Sequence, residues 1–113
     1  MKRVGVIGAG NGGLAVAGYL AFRGHEVRVM DANPTVIEPI AKVGAIEVTG
    51  KIEGKGKVAL ATTSVADAVR GTEVIIAVVP ANAHGRVAEA LAPHVTDDQI
   101  VLLHPGGTGG ALE

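Results

Sequence analysis

Three glycines spaced as Gly8-x-Gly10-x-x-Gly13 stand between a short β-branched run, Val4 to Ile7, and a stretch of helical periodicity from Leu14 to Arg23. A strand that turns on glycines directly into a helix constrains this chain more than anything else in it. The helix must run back along the strand, and the next strand then lies parallel to the first. The rest of the chain keeps that alternation. Val27 to Met30 reads as a second strand ending at Asp31, and Gly24 as the stop of the helix before it. Asn33-Pro34 reads as an N-cap followed by proline at the first helical position. Pro39 falls about a turn later and is expected to kink or shorten that helix.

From Ala45 to Ala61 the pattern changes. Two β-like pieces, Ile46–Thr49 and Lys57–Ala61, flank Gly50, Gly54 and Gly56, so a hairpin-like excursion near residues 45–61 is expected. Ser64 then opens a helix, with Asp67 as the acid of a capping box, and Gly71 closes it. Glu73 to Val79 is the most apolar strand, Asn82 to Ala92 reads as a helix, and Ile100 to Leu103 as the last strand. The expected fold class is α/β: a Rossmann-type parallel sheet with helices on both faces. With one Tyr and one Phe, the core must be built from Ala, Val, Ile and Leu, which suits a sheet buried on both sides.

Length and charge narrow the function. A chain of 113 residues makes one domain. Ten basic residues against eleven acidic ones give a formal charge of -1, which excludes a strongly basic nucleic-acid binder and offers no attraction to anionic membranes. With no cysteine there is no disulfide, thiolate metal site or cysteine nucleophile, and no metal site is expected. The longest apolar run, Val74 to Ala81, contains Pro80 and is far short of the ~20 residues of a membrane span. Glycines interrupt the N-terminal apolar stretch, which argues against a secretory signal, and a cytoplasmic protein is expected.

The glycine turn is where chemistry is expected. Gly8 permits the tight turn, Gly10 lets a pyrophosphate approach the backbone, and Gly13 lets the helix pack on the strand. The free N–H groups at the helix start then face the anion. A purely structural turn is the plain alternative. A Walker-type loop fits worse, because no Gly-Lys-Ser or Gly-Lys-Thr follows. Asp31 supports the dinucleotide reading. It ends the second strand 18 residues after Gly13, where an acid accepts the ribose hydroxyls. A carboxylate there repels a 2′-phosphate, and Ala32 and Asn33 put no Arg or Lys immediately beside it, so NAD is favoured over NADP.

Other strand ends belong to the same edge. Pro80 ends the most apolar strand, and the small Ala81 leaves room for a flat cofactor. His84 reads as a surface or capping residue, and His25 and His94 as solvated turn residues. His104 precedes Pro105 at the last strand end, with no carboxylate nearby in sequence to orient it. The second glycine cluster, Gly106 to Gly110, reads equally as a flexible turn or as a backbone approach to nicotinamide or substrate, with the Thr108 hydroxyl as a donor. The lysines Lys51, Lys55 and Lys57 are balanced by Glu47 and Glu53 and read as a solvated hairpin.

These segments resemble one family. Gly8 to Gly24, with Gly-Asn-Gly-Gly at 10–13 and Gly-Tyr-Leu-Ala at 18–21, looks like the start of the octopine/nopaline (opine) dehydrogenases. Val78-Val79-Pro80-Ala81 is similar too, and Pro105-Gly106-Gly107-Thr108-Gly109-Gly110-Ala111-Leu112-Glu113 is the most specific match. The resemblance implies an NAD(P)-binding N-terminal domain, followed by a mainly helical domain that supplies the catalytic His and Asp. It implies reductive condensation of an amino acid with a 2-oxo acid, or the reverse. By resemblance Gly8, Gly10, Asn11, Gly12 and Gly13 form the pyrophosphate loop, Asp31 the ribose acceptor, and Val79, Pro80 and Ala81 the strand-end contact. The catalytic pair has no counterpart in residues 1–113, so this stretch reads as a truncated cofactor half that is inactive alone and whose exposed last strand favours self-association. Ketopantoate reductases and glycerol-3-phosphate dehydrogenases share the N-terminal pattern more loosely. A non-catalytic NAD-sensing module is the alternative from another class.

Overall fold

The computed structural model describes residues 1–48 and 54–104. Five parallel strands form the main sheet in the order β5-β2-β1-β6-β7. They are β1 (Arg3–Ile7), β2 (Glu26–Met30), β5 (Leu60–Thr62), β6 (Val74–Val78) and β7 (Ile100–His104). A separate antiparallel pair, β3 (Ala45–Val48) and β4 (Gly54–Lys57), forms the hairpin. The helices are α1 (Asn11–Phe22), α2 (Pro34–Val43), α3 (Val65–Val69) and α4 (His84–Leu91).

The sheet is doubly wound, as the alternation of strands and helices predicts. On one face α1, α2 and the hairpin enclose Val4, Val6, Ala17, Ala21, Val27, Val29, Ile37, Ile40 and Ile46. On the other, α3 and α4 enclose Ile7, Met30, Ala68, Val69, Ile75, Ala77 and Leu91. Strand β1 is central and buried from Val4 onward, pairing Val6 with Val29 on one side and with Ile76 on the other. Each buried Val or Ile of this core contributes about 1.5–3 kcal/mol relative to exposure. At the far edge, Ile100, Val101, Leu102 and Leu103 of β7 are all exposed. No helix among the described residues is long and apolar enough to cross a membrane.

Local signals explain the helix ends. The Asn33 side chain accepts the Thr35 N–H at 3.0 Å, a cap worth about 1 kcal/mol, with Pro34 at the first helical position. Gly24 and Gly44 take left-handed conformations after α1 and α2.

Four expectations are corrected in detail. Helix α2 is not cut short at Pro39 but continues to Val43, with the ring on the exposed side while Ile37 and Ile40 anchor the buried side. The stretch Lys57–Ala61 is not one strand. Lys57 ends the hairpin, and Leu60–Thr62 joins the main sheet beside β2. The capping box at Ser64 is half formed. The Ser64 hydroxyl accepts the Asp67 N–H at 3.3 Å, but Asp67 turns to Arg70 at 2.9 Å. The helix expected over Asn82 to Ala92 begins as a 3-10 turn at Ala81–Ala83 and becomes α-helical only at His84.

The hairpin lies against α1. A Cβ on Gly56 would come within 2.6 Å of both the Gly18 carbonyl oxygen and the Phe22 nitrogen. Gly56 is therefore a packing residue as well as a hairpin residue, since only its bare backbone can approach the helix this closely.

Candidate cofactor site

The strand order reverses direction at β1 and β6. From β1 the chain passes through α1 to β2, and from β6 it passes to β7 on the opposite side. Beyond the carboxyl ends of such neighbours the two connections diverge and open a crevice. Every residue of the glycine turn lies there.

Gly8 leaves β1 with φ +103°, and a Cβ on it would run into the Val78 carbonyl oxygen. Its N–H donates to the Met30 carbonyl at 2.7 Å, which ties the turn to β2. A Cβ on Gly13 would overlap the Gly8 carbonyl oxygen, so the first turn of α1 rests directly on the strand end. Gly10 differs: its φ is -72° and a Cβ there would meet nothing within 4 Å. One glycine is required by the turn, one by the packing, and the third faces open space.

Gly10 is the N-cap of α1 and supplies no side-chain cap, and the first turn holds no acidic residue. The first intrahelical bond runs from the Leu14 N–H to the Gly10 carbonyl at 2.8 Å. The N–H groups of Asn11, Gly12 and Gly13 therefore have no acceptor within the helix, and the helix dipole adds partial positive charge. An anion is the natural complement of such an end.

Asp31 stands beside this turn, and its carboxylate is already employed. One oxygen accepts the Ala9 N–H at 2.9 Å and the other accepts the Asn33 N–H at 2.9 Å. Asp31 thus fixes the glycine turn against the end of β2. Each oxygen retains a lone pair, so the carboxylate can also accept hydroxyl groups from the crevice.

A cleft of about 320 Å³ opens at this place. Gly8, Met30, Asp31 and Ala32 line one wall, and Val79, Ala83, Arg86, Val87 and Ala90 line the other. Val79 lines the cleft, whereas Pro80 is exposed and serves the chain's turn, its carbonyl accepting the Ala83 N–H at 2.8 Å. Asn11 and Ala81 are placed by their backbones at the starts of α1 and the 3-10 turn. Thr108 and the second glycine cluster lie outside the described residues, as does Lys51.

Two of the histidines have structural partners. His84 Nε2 lies 3.2 Å from the Val79 carbonyl oxygen, which ties the start of α4 to the chain leaving β6; it does not cap α4, whose N-terminus has no side-chain cap. His25 is not simply solvated: it is half-buried, and its Nδ1 accepts the Lys2 N–H at 3.0 Å, joining the starts of β1 and β2. The residues missed from sequence are those of the α4 wall. Their signal was present as helical spacing, since Ala83, Arg86, Val87 and Ala90 fall at i, i+3, i+4 and i+7 on one face.

A family model described as the NAD-dependent glycerol-3-phosphate dehydrogenase N-terminus matches residues 3–108. The chain belongs to this family. Within the glycerol-3-phosphate dehydrogenase N-terminal family its likeness to opine dehydrogenases is strong. It is 40% identical to the opine dehydrogenase of Arthrobacter sp. (strain 1C) over 113 residues, covering 99% of this chain and 32% of that protein. It is 31% identical over 103 residues to the glycerol-3-phosphate dehydrogenase [NAD(P)+] of Koribacter versatilis (strain Ellin345), covering 90% of this chain and 31% of that protein. A solved structure of octopine dehydrogenase with NADH and pyruvate superposes with a TM-score of 0.77 at 31% identity, covering 89% of this chain and 28% of that one. The chain spans about a third of the length of the curated relatives it matches.

Proposed function

We propose that residues 1–113 are the NAD(H)-binding domain of an opine-type dehydrogenase. Its reaction would be reductive condensation of an amino acid with a 2-oxo acid, or the reverse. The observation that carries the reading is the start of α1: three N–H groups without an acceptor inside the helix, beneath open space at Gly10, beside a carboxylate at Asp31. Those features fit a dinucleotide part by part. The N–H groups of Asn11, Gly12 and Gly13 would hold the pyrophosphate, and Asp31 the adenosine ribose. Val79 and the small residues of the cleft would border the flat rings. When bound, the nicotinamide supplies a hydride, while the work of this domain is to orient it. Octopine dehydrogenase has been solved with NADH together with agmatine, pyruvate or L-arginine, which supports an amino acid and a 2-oxo acid as the substrate pair. The general acid/base and the substrate contacts are assigned to a second, mainly helical domain outside these residues.

One observation favours a second reading. The matching family model and the Koribacter relative both carry the glycerol-3-phosphate dehydrogenase name. The whole protein decides between them: NADH oxidation that requires both an amine and a 2-oxo acid supports the opine reading, and NAD reduction driven by glycerol-3-phosphate supports the other.

The domain itself is tested by titration. NADH should bind the chain, and Gly10→Ala should weaken that binding about tenfold or more by placing a methyl group where the phosphates approach. The same substitution should leave the thermal midpoint within a few degrees, because its Cβ meets nothing in the protein. Unchanged affinity in Gly10→Ala would remove the pyrophosphate from this turn.

A further inference from the structure

Judged from its immediate neighbours Ala32 and Asn33, Asp31 favours the unphosphorylated dinucleotide, because neither of them is a cation. In space there is one. Arg86 of α4 lines the cleft whose other wall carries Asp31 and Ala32. We infer that Arg86 is a specificity-determining residue, whose guanidinium receives a 2′-phosphate on the adenosine ribose and lets the site accept NADPH as well as NADH. The inference rests on the dinucleotide reading of the cleft.

Three observations carry it. First, Arg86 is exposed and has no carboxylate within 4.0 Å among the described residues, unlike Arg3 and Arg70, which pair with Glu73 and Asp67. Arg28 is likewise committed, donating to the Asp67 carbonyl at 2.9 Å. Arg86 is thus a cation at a cleft with its donors uncommitted, and a guanidinium suits the oxygens of a phosphate. Second, its neighbours on that wall are small or apolar. Ala83 and Ala90 flank it one turn either way, and the small Ala32 lines the same cleft beside Asp31. Third, both oxygens of Asp31 already accept backbone N–H groups. Its charge is shared with two donors before any ligand arrives, which softens the repulsion a second anion would meet.

The arrangement predicts a graded preference: NADH binds more tightly, and NADPH binds through Arg86. The test is a titration of the chain and its Arg86→Met and Arg86→Lys variants with NADH and NADPH, followed by nicotinamide fluorescence. Arg86→Met should weaken NADPH about tenfold or more while changing NADH less than threefold. Arg86→Lys, which keeps the charge, should restore most of the NADPH affinity. Equal weakening of both cofactors would overturn the proposal, because Arg86 would then pack against the shared adenosine. Unchanged binding of both would overturn it as well. If the unmodified chain binds neither cofactor, the dinucleotide reading itself falls and this proposal falls with it.

Discussion

Gly13→Ala should destabilise the chain by about 3 kcal/mol or more, lowering the thermal midpoint by roughly 12–20 °C. The added methyl group would overlap the carbonyl oxygen of Gly8, a backbone atom that cannot swing aside like a side chain. Relief would require α1 to lift from the end of β1. That helix packs Ala17 and Ala21 into the core shared with Val4, Val6, Val27 and Val29, so lifting it opens the core as well. A domain of this size has roughly 5–15 kcal/mol of total stability, and a loss of that order is a large part of it. Thermal unfolding followed by circular dichroism measures it directly. A midpoint within about 3 °C of the unmodified chain would show that the helix is not seated on the strand as described. The comparison with Gly10→Ala sharpens the test. Two glycines of one motif, three residues apart, should separate cleanly, one serving the fold and the other the ligand.

Asp31→Ala should have the largest effect on binding and a smaller one on stability. A hydrogen bond to a charged group is worth roughly 1.5–3 kcal/mol, so loss of the ribose acceptor alone should weaken NADH about ten- to a hundredfold. The structure adds a second cost. The same carboxylate holds the Ala9 and Asn33 N–H groups, so its removal frees the glycine turn that carries the proposed phosphate donors. Because Asp31 is half-exposed, water can replace those two bonds, and the loss of stability should stay near 1–2 kcal/mol. Calorimetric titration and thermal unfolding on the same variant report both terms. Affinity within twofold of the unmodified chain would take Asp31 out of the site.

The place of Asp31 also shows what the sequence made legible. Its position at a strand end after a glycine turn was readable because strands, turns and caps leave local signals. The Asn33 cap, the left-handed Gly24 and the apolar run ending at Val78 are signals of the same kind. The hydrogen bond from Ala9 to Asp31 was not readable, because it joins two segments that only the pairing of β1 with β2 brings together. The helical spacing of Ala83, Arg86, Val87 and Ala90 was readable, but which wall that face would line was not, because the pairing of β1 with β6 brings it opposite Asp31. Gly56 looked like an ordinary hairpin glycine, since nothing in the local pattern says which helix the hairpin will cover. Pro39 misled in the opposite direction. Its local rule is sound, but burial of Ile37 and Ile40 on the other side of α2 outweighs one missing hydrogen bond.

The two walls of the cleft are unequally anchored. Strand β1 is buried along almost its whole length between two parallel partners, whereas α4 has Leu91 as its one fully buried residue and enters and leaves through 3-10 turns. The first wall should exchange its amide hydrogens only with global unfolding, and the second through local opening. A ligand that touches both therefore gains contacts from a rigid surface and must bring order to a compliant one. Slowed exchange along α4, with β1 unchanged, would be the mark of an occupied cleft.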